Sequence, residues 1–248
     1  MLAASAMLPQ APTEHPPVIL VHGAANSAPV WTYWQRELAE RGWPSYALNL
    51  RGHGRHRIDL SRTTMHDYAE DVHTLVTQLA RPPVIIGWSM GGLIAMMVAE
   101  RGVAAACVGL APSTPARQID PSVTLRTGEF GAEEYGITSL DPENQPAMPD
   151  LDQKERAIAL ASLSQESRLA RDERKAGVVI ESLPCPLYII TGTADGQWPR
   201  ERYDNLWLEA SYLSIKDASH WGLVLNRRAL ATTVTDVIEW LGAVGVGG

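Results

Sequence analysis

Short apolar runs alternate with amphipathic stretches along most of this chain. A continuous apolar run of this kind is typical of a strand that is buried on both faces of a sheet. The pattern predicts six strands, namely VILVH (18–22), SYALNL (45–50), VIIGW (84–88), AAACVGLAP (104–112), PLYIITG (186–192) and SYLSIKD (211–217).

Helical spacing of apolar residues separates these strands. Val30, Trp34 and Leu38 recur at such spacing after the first strand, and Gly42 follows as a helix-ending residue. Similar patterns predict helices at 65–80, 90–102, around 199–208 and from about 228 to 241. Strands that alternate with helices favour the α/β class, with a doubly wound, mostly parallel sheet of about six strands and helices on both faces.

One long segment interrupts this alternation. The alternation stops at residue 113. Residues 126–150 are polar, rich in Gly and Pro and nearly without periodicity, and residues 151–177 have a helical pattern. Because the alternation of strand and helix resumes afterwards, we predict an insertion after the fourth predicted strand, lying above the sheet. The core of the protein then consists of residues 1–112 and 184–248, and residues 113–183 are the insertion.

Composition narrows the class of protein. The formal net charge is −7 for 248 residues, so we expect no nucleic-acid partner. No apolar run approaches the about 18 residues of a membrane span. The N-terminus also lacks the positively charged start of a signal peptide, so we expect a cytoplasmic protein with no membrane partner.

Cys107 and Cys185 lie in apolar surroundings and are expected to be buried free thiols.

Three residues of catalytic type follow predicted strands. Ser89 follows the third strand, Asp195 the fifth and His220 the sixth. In an open parallel sheet these strand ends share one edge, where ligands bind. A serine hydroxyl becomes a nucleophile when a histidine takes its proton, and a carboxylate fixes the tautomer of that histidine. The three are therefore candidate catalytic residues, with Asp217 as an alternative acid.

Glycines flank the candidate nucleophile in GWSMGG (87–92). A sharp turn from strand to helix leaves no room for side chains at Gly87 and Gly91. Such a turn exposes the serine oxygen and directs the N-terminus of the helix at the reacting carbonyl group. The backbone N–H groups of Met90 and of Ala24, which follows the first strand, are the expected donors of an oxyanion hole.

These motifs resemble the α/β-hydrolase fold superfamily, in its serine-nucleophile branch of small bacterial esterases, pimeloyl-ester carboxylesterases and cofactor-free haloperoxidases. The resemblance implies a triad of Ser89, Asp195 and His220 beneath a cap or lid formed by residues 113–183. The chain departs from the pattern before Val18, where the segment is too short for the usual antiparallel hairpin. The resemblance extends over most of the chain, through HG (22–23), LRGHG (50–54), GWSMGG, TGTADGQWP (191–199) and ASHWG (218–222).

Four further residues are candidates for the substrate pocket. Trp88 and Trp221 each adjoin a candidate catalytic residue, and Trp31 lies near the expected oxyanion loop. Each tryptophan could instead belong to the core. His22 is also a candidate, although packing within that loop is a better interpretation than a role as a base.

The pattern as a whole predicts a serine esterase that cleaves a small-molecule carboxylic ester or lactone through an acyl-enzyme. The same triad could instead support carbon–carbon bond hydrolysis, hydroxynitrile lysis or perhydrolysis, and a non-catalytic ligand-binding protein is a third interpretation. Ser89 argues against the epoxide hydrolases and dehalogenases of this fold, because they use an aspartate nucleophile. The sequence contains no phosphate-binding loop, nucleotide fingerprint or metal-ligand cluster, so we expect no cofactor and no metal.

Overall fold

A mixed β-sheet forms the centre of the protein. The computed structural model describes residues 3–247. Its strands are β1 (Ala3–Met7), β2 (Val18–Val21), β3 (Ser45–Asn49), β4 (Val84–Trp88), β5 (Ala106–Leu110), β8 (Leu187–Gly192) and β9 (Ser211–Ile215). They lie in the order β1-β3-β2-β4-β5-β8-β9, and all are parallel except β1, which is antiparallel to β3.

The sheet has one more strand than the apolar runs predict. The additional strand is β1, which lies at the edge of the sheet and pairs with β3 from Ala3 opposite Asn49 to Met7 opposite Ser45. Its residues are small and largely exposed, so they form no apolar run. Backbone hydrogen bonds to β3 define this strand, and the N-terminal segment therefore supplies one antiparallel strand in place of a hairpin.

Helices cover both faces of the sheet, as predicted. Along β2, Val18 and Leu20 face one hydrophobic cluster, and Ile19 and Val21 face the other. The helices are α1 (Thr32–Glu40), α2 (Met65–Val76), α3 (Met90–Ala99), α4 (Gln153–Ala161), α5 (Arg168–Ala176), α6 (Gly222–Leu225) and α7 (Arg227–Ala243). The first cluster packs beneath α1, α6 and α7, and the second packs beneath α2 and α3.

The segment between β5 and β8 contains α4, α5 and a two-stranded sheet of β6 (Glu129–Phe130) and β7 (Glu166–Ser167). The helical pattern at 151–177 is therefore two helices separated by β7. Reciprocal hydrogen bonds between Asp152 and Glu155 cap α4, and the Ser167 hydroxyl caps α5. A serine-rich connection between the two helices binds the loop after β2, because the Ser164 N–H donates to the carbonyl oxygen of Ala25 at 2.9 Å.

Two other expectations differ in detail from the structure. The helix expected around 199–208 is a single 3₁₀ turn, Arg200–Tyr203. Both cysteines are free, but only Cys107 is buried, and Cys185 is partly exposed.

In the part of the chain from residue 3 to residue 247, no helix combines the length and the apolar character needed to cross a membrane.

Candidate active site

Ser89 lies on a strained turn between β4 and α3. Its backbone has φ 55° and ψ −118°, a region that residues with a side chain rarely adopt. A Cβ atom at Gly87 would lie 2.1 Å from the carbonyl oxygen of Gly91, and one at Gly91 would lie 2.2 Å from that of Val21. The two flanking glycines are therefore steric requirements of the turn, as the sequence indicates.

Asp195 and His220 are brought together from the loops after β8 and β9. The Nδ1 atom of His220 donates to Oδ2 of Asp195 at 2.6 Å. The other carboxylate oxygen accepts the backbone N–H groups of Gln197 and Trp198, both at 3.0 Å. Burial alone would raise the pKa of Asp195, but the hydrogen bond and the charge of His220 together with these N–H groups hold it below its usual value. The acid is thus ionised and oriented by three donors.

The alternative acid, Asp217, lies apart from this pair. It is exposed, and its backbone N–H donates to the Thr193 hydroxyl at 2.8 Å. Among the described residues, its carboxylate makes no hydrogen bond to His220. The geometry therefore favours Asp195 as the partner of the histidine.

A cavity of about 750 Å³ opens at this edge of the sheet. Ser89, Asp195 and His220 all line it, and so does Ala24. In the described part of the chain, the Ser89 hydroxyl makes no hydrogen bond, and the imidazole of His220 makes one, through Nδ1. The nucleophile, acid and base that the sequence predicts therefore meet at one cavity wall.

Two backbone N–H groups have the placement expected of oxyanion donors. Met90 is the first residue of α3, and the N–H of a first helical residue has no partner within the helix. The Met90 side chain is fully buried in the core, so only its main chain can contribute to the site. Ala24 lies in the cavity wall on the loop after β2. Neither N–H donates to a carbonyl or side-chain group elsewhere in residues 3–247.

His22 lies behind the cavity wall and is fully buried. Its Nδ1 atom is 2.8 Å from the carbonyl oxygen of Gly23, and its Nε2 atom accepts the backbone N–H of Leu50 at 3.3 Å. Burial, followed by the charge of His53, lowers the pKa of His22 to about 3. The ring is therefore neutral and donates from Nδ1. Because Gly23 O and Ala24 N belong to one planar peptide unit, this hydrogen bond orients the Ala24 N–H.

Sequence reasoning missed a buried carboxylate beside this loop. Glu166, in β7, is fully buried. It accepts hydrogen bonds from the backbone N–H of Ala25 at 3.1 Å, from the N–H of Ser167 at 2.7 Å and from the Tyr68 hydroxyl at 2.6 Å. His53 Nε2 lies 3.4 Å away. Burial would raise the pKa of Glu166, but His53 and the Tyr68 hydroxyl hold it well below its usual value.

No local signal marks Glu166 in the sequence. It lies in LSQESR (163–168), which has the composition of an ordinary surface helix. Its partners are far away along the chain, so only the tertiary contact makes it informative. His53, which lies in the motif LRGHG (50–54), is part of the same buried cluster.

The three candidate tryptophans have different positions. Trp88 and Trp221 line the cavity, and their ring centroids are 4.9 Å apart. The Nε1–H of Trp88 donates to the carbonyl oxygen of His220 at 3.1 Å, and the Trp88 ring lies 5.1 Å from the imidazole. Trp88 therefore supports His220 directly. Trp31 is fully buried, packs edge-on against Trp34 in the core and is not part of the cavity wall.

A parallel sheet with a strained serine at a strand-to-helix turn, facing an acid and a histidine from later strand ends, is the arrangement of α/β hydrolases. The chain belongs to the alpha/beta hydrolase family, since the model of that family matches residues 18–233. Its similarity to solved structures extends over the whole fold. A thermophilic esterase from Thermogutta terrifontis superposes with a TM-score of 0.70 and 21% identity, covering 98% of this chain and 93% of that one.

Curated relatives include esterases and lipases. Protein phosphatase methylesterase 1 of Bos taurus is 35% identical over 104 residues, which are 40% of this chain, and the match spans only 27% of the length of that protein. The thermostable monoacylglycerol lipase of Bacillus sp. (strain H-257) is 25% identical over 181 residues, covering 72% of this chain and 70% of the lipase.

Proposed function

We propose that this protein is a serine hydrolase that cleaves a carboxylic ester or lactone through an acyl-enzyme, with Ser89, His220 and Asp195 as its triad. The observation that carries the proposal is the 2.6 Å hydrogen bond between His220 and Asp195 at the cavity that Ser89 also lines. Names of relatives and structural neighbours, among them esterases and lipases, agree with ester hydrolysis.

The roles of the three residues follow from the hydrogen bond between His220 and Asp195 and from the chemistry of a serine hydroxyl. Asp195 holds the proton of His220 on Nδ1, which leaves Nε2 as the basic nitrogen. Nε2 takes the proton of the Ser89 hydroxyl while the serine oxygen attacks the ester carbonyl carbon. The same nitrogen then protonates the departing alcohol. Water hydrolyses the acyl-enzyme by the same steps, and Ser89 recovers its proton.

Hydrogen-bond donors other than the histidine must stabilise the negative charge that develops on the carbonyl oxygen. The N–H groups of Ala24 and Met90 fill this role, the first oriented through His22 and the second by the start of α3. One such donor contributes about 3 to 4 kcal/mol to stabilisation of the transition state. Residues 113–183 act as the cap, because their side chains form part of the cavity wall above the serine.

Labelling with a fluorophosphonate probe tests the nucleophile. The probe forms a bond from the serine oxygen to phosphorus and releases fluoride, so wild type is expected to be labelled and Ser89→Ala is not. Ser219→Ala removes a second serine of the cavity wall and is expected to label. If Ser89→Ala labels as fast as wild type, Ser89 is not the nucleophile.

A panel of p-nitrophenyl esters and acyl lactones of increasing chain length tests the reaction itself. Wild type is expected to hydrolyse at least one of them, and Ser89→Ala is expected to lower kcat by about 10⁶-fold. Labelling of Ser89 without turnover of any ester or lactone would instead point to another reaction of the same triad.

A further inference from the structure

One wall of the candidate active-site cavity is basic. Arg171, Arg174 and Lys175, all on α5, line it together with Arg202. Asp195 is the one acidic residue of the described cavity wall, and it is bonded to His220. The chain as a whole carries a formal net charge of −7. The cavity wall is therefore positively charged although the chain as a whole is negatively charged. A positive cluster of this kind raises the local concentration of anions.

The basic residues differ in how their charges are compensated. Arg171 forms an ion pair with Glu134, and the guanidinium of Arg202 lies over the Trp198 ring at 4.3 Å. Arg174 donates from Nη1 to the Ser113 hydroxyl at 3.2 Å and from Nη2 to the Tyr135 hydroxyl at 2.8 Å. Both of these partners are neutral.

Arg174 has no acid within ion-pair distance in the described part of the chain. Its charge helps to lower the pKa of Glu166, although burial and His53 are the larger influences there. The Glu166 carboxylate is nevertheless bonded to the N–H groups of Ala25 and Ser167 and to Tyr68. Arg174 is thus a half-buried cation without a bonded counter-ion.

The position of Arg174 relative to Ser89 follows from a chain of two hydrogen bonds. The Ser113 backbone N–H donates to the carbonyl oxygen of Ser89 at 2.9 Å, and the Ser113 hydroxyl accepts from Arg174. All three residues line the same cavity. A substrate that reacts at Ser89 and is bound by Arg174 would therefore need only a few atoms between its ester carbonyl and the group that Arg174 binds.

We propose that Arg174, with Ser113 and Tyr135, forms a subsite for a carboxylate carried by the ester substrate. This inference rests on the proposed function of Ser89. Each terminal nitrogen of a guanidinium carries two hydrogens, and Arg174 uses one on each for its neutral neighbours. The second hydrogens suit the two oxygens of one carboxylate, which is the ligand geometry that arginine favours. The substrate class is then a short ester with a free carboxylate, in its acyl or its alcohol part.

Matched pairs of esters test the subsite. For the acyl side, the mono-p-nitrophenyl ester of glutaric acid is compared with the corresponding p-nitrophenyl methyl glutarate, which is neutral. For the alcohol side, 4-acetoxybenzoate is compared with its neutral methyl ester. Wild type is expected to prefer the charged member of at least one pair, and that pair identifies the side that carries the carboxylate.

Substitution of the arginine should remove that preference. In Arg174→Gln, the ratio of kcat/KM for the charged ester to kcat/KM for the neutral ester is expected to fall by about 10- to 100-fold, as for loss of a charged hydrogen bond. Arg174→Lys, which keeps the charge but lacks the planar fork, should give an intermediate ratio. Arg228→Gln removes an exposed arginine outside the cavity wall and should keep the wild-type ratio. Thermal unfolding of each variant checks that it is folded.

A wild-type enzyme with no preference for either charged ester would overturn the subsite, as would a preference that survives in Arg174→Gln. Calorimetric binding of free glutarate separates this result from a failure of the proposed function. If wild type hydrolyses none of the four esters, glutarate binding that is lost in Arg174→Gln still supports the subsite. Equal binding by both proteins, or no binding, overturns it.

Discussion

The Oε2 atom of Glu166 accepts the backbone N–H of Ala25 at 3.1 Å, across 141 residues of sequence. Ala25 has φ 54°, a left-handed conformation that costs about 1 to 3 kcal/mol in a residue with a side chain. The buried carboxylate stabilises this conformation and so positions the adjoining Ala24 N–H. The inserted segment is thereby coupled to the proposed oxyanion hole.

Glu166→Gln is therefore expected to affect both stability and catalysis. Removal of one charged acceptor from a buried cluster should lower the free energy of unfolding by about 1 to 3 kcal/mol. The Ala24 N–H is also held less firmly, because the hydrogen bond from Ala25 to position 166 is weakened. The kcat on a p-nitrophenyl ester should therefore fall by about tenfold or more, with a smaller change in KM. Urea unfolding and steady-state kinetics measure the two effects.

Glu129→Gln is a matched control for this prediction. Glu129 lies in the same inserted segment and accepts the backbone N–H of Leu60 at 2.6 Å, but Leu60 is not part of the cavity wall. Its substitution should change stability without the loss of kcat. Equal losses of kcat in the two variants would show that Glu166 acts only through overall stability.

Asp195→Asn tests the choice between the two candidate acids. The amide cannot hold the proton of His220 on Nδ1 in the same way, so kcat is expected to fall by about 10⁴-fold while the fold is retained. Asp217→Asn changes an exposed carboxylate in the loop after β9 and should change kcat little. A greater loss in Asp217→Asn than in Asp195→Asn would reverse the assignment.

Gly91→Ala tests the steric requirement of the serine turn. A Cβ atom there would lie 2.2 Å from the carbonyl oxygen of Val21 and 2.4 Å from that of His22. Main-chain atoms cannot move aside cheaply, so we expect a loss of more than about 3 kcal/mol in unfolding free energy, or no folded protein. Chemical denaturation of purified variants measures this loss.

The control for that prediction is Gly242→Ala in α7. Apart from its chain neighbours and the backbone of its own helix, no heavy atom of the described residues lies within 4 Å of a Cβ placed at Gly242. Alanine is favoured over glycine within a helix by about 0.5 to 1 kcal/mol. This variant should be slightly more stable than wild type. A tolerated Gly91→Ala with normal activity would contradict the tight turn.

The buried histidine at position 22 predicts a dependence of stability on pH. Its pKa is about 3 in the folded protein against an ordinary value of 6.5, so the unfolded chain binds the proton first as the pH falls. The contribution of His22 to stability is therefore fully present above pH 6.5 and is lost progressively between pH 6.5 and 3. The loss approaches about 1.4 kcal/mol per pH unit.

Urea unfolding of wild type and His22→Asn at several pH values between 7 and about 4 measures this contribution. The free energy of unfolding should fall less steeply with acid in the variant, even if the variant is less stable at neutral pH. Ser45→Ala changes a buried polar group that does not titrate and should keep the wild-type slope. Parallel slopes for wild type and His22→Asn would contradict the prediction.

Much of the fold could be predicted from local patterns. The parallel strands β2, β3, β4, β5, β8 and β9 coincide with strands that the sequence predicts. The inner strands β2, β4, β5 and β8 are buried along their whole length and are largely apolar, as strands covered on both faces must be. The edge strand β1 has no such run, and its existence depends on β3 beside it. The helical pattern at 151–177 also gave no indication of the strand β7, which forms by pairing with β6.

The sequence by itself determined the turn at Ser89, its two glycines and the order of serine, acid and histidine at successive strand ends. Short-range steric constraints are sufficient to predict the turn, and the common edge of a parallel sheet is sufficient to predict that the three residues lie near one another. Tertiary structure alone decided that Trp31 belongs to the core, that Glu166 binds Ala25 and that Arg174 faces the cavity. These placements depend on contacts between segments that are distant in sequence. No local pattern specifies which face of a helix or loop another segment will cover.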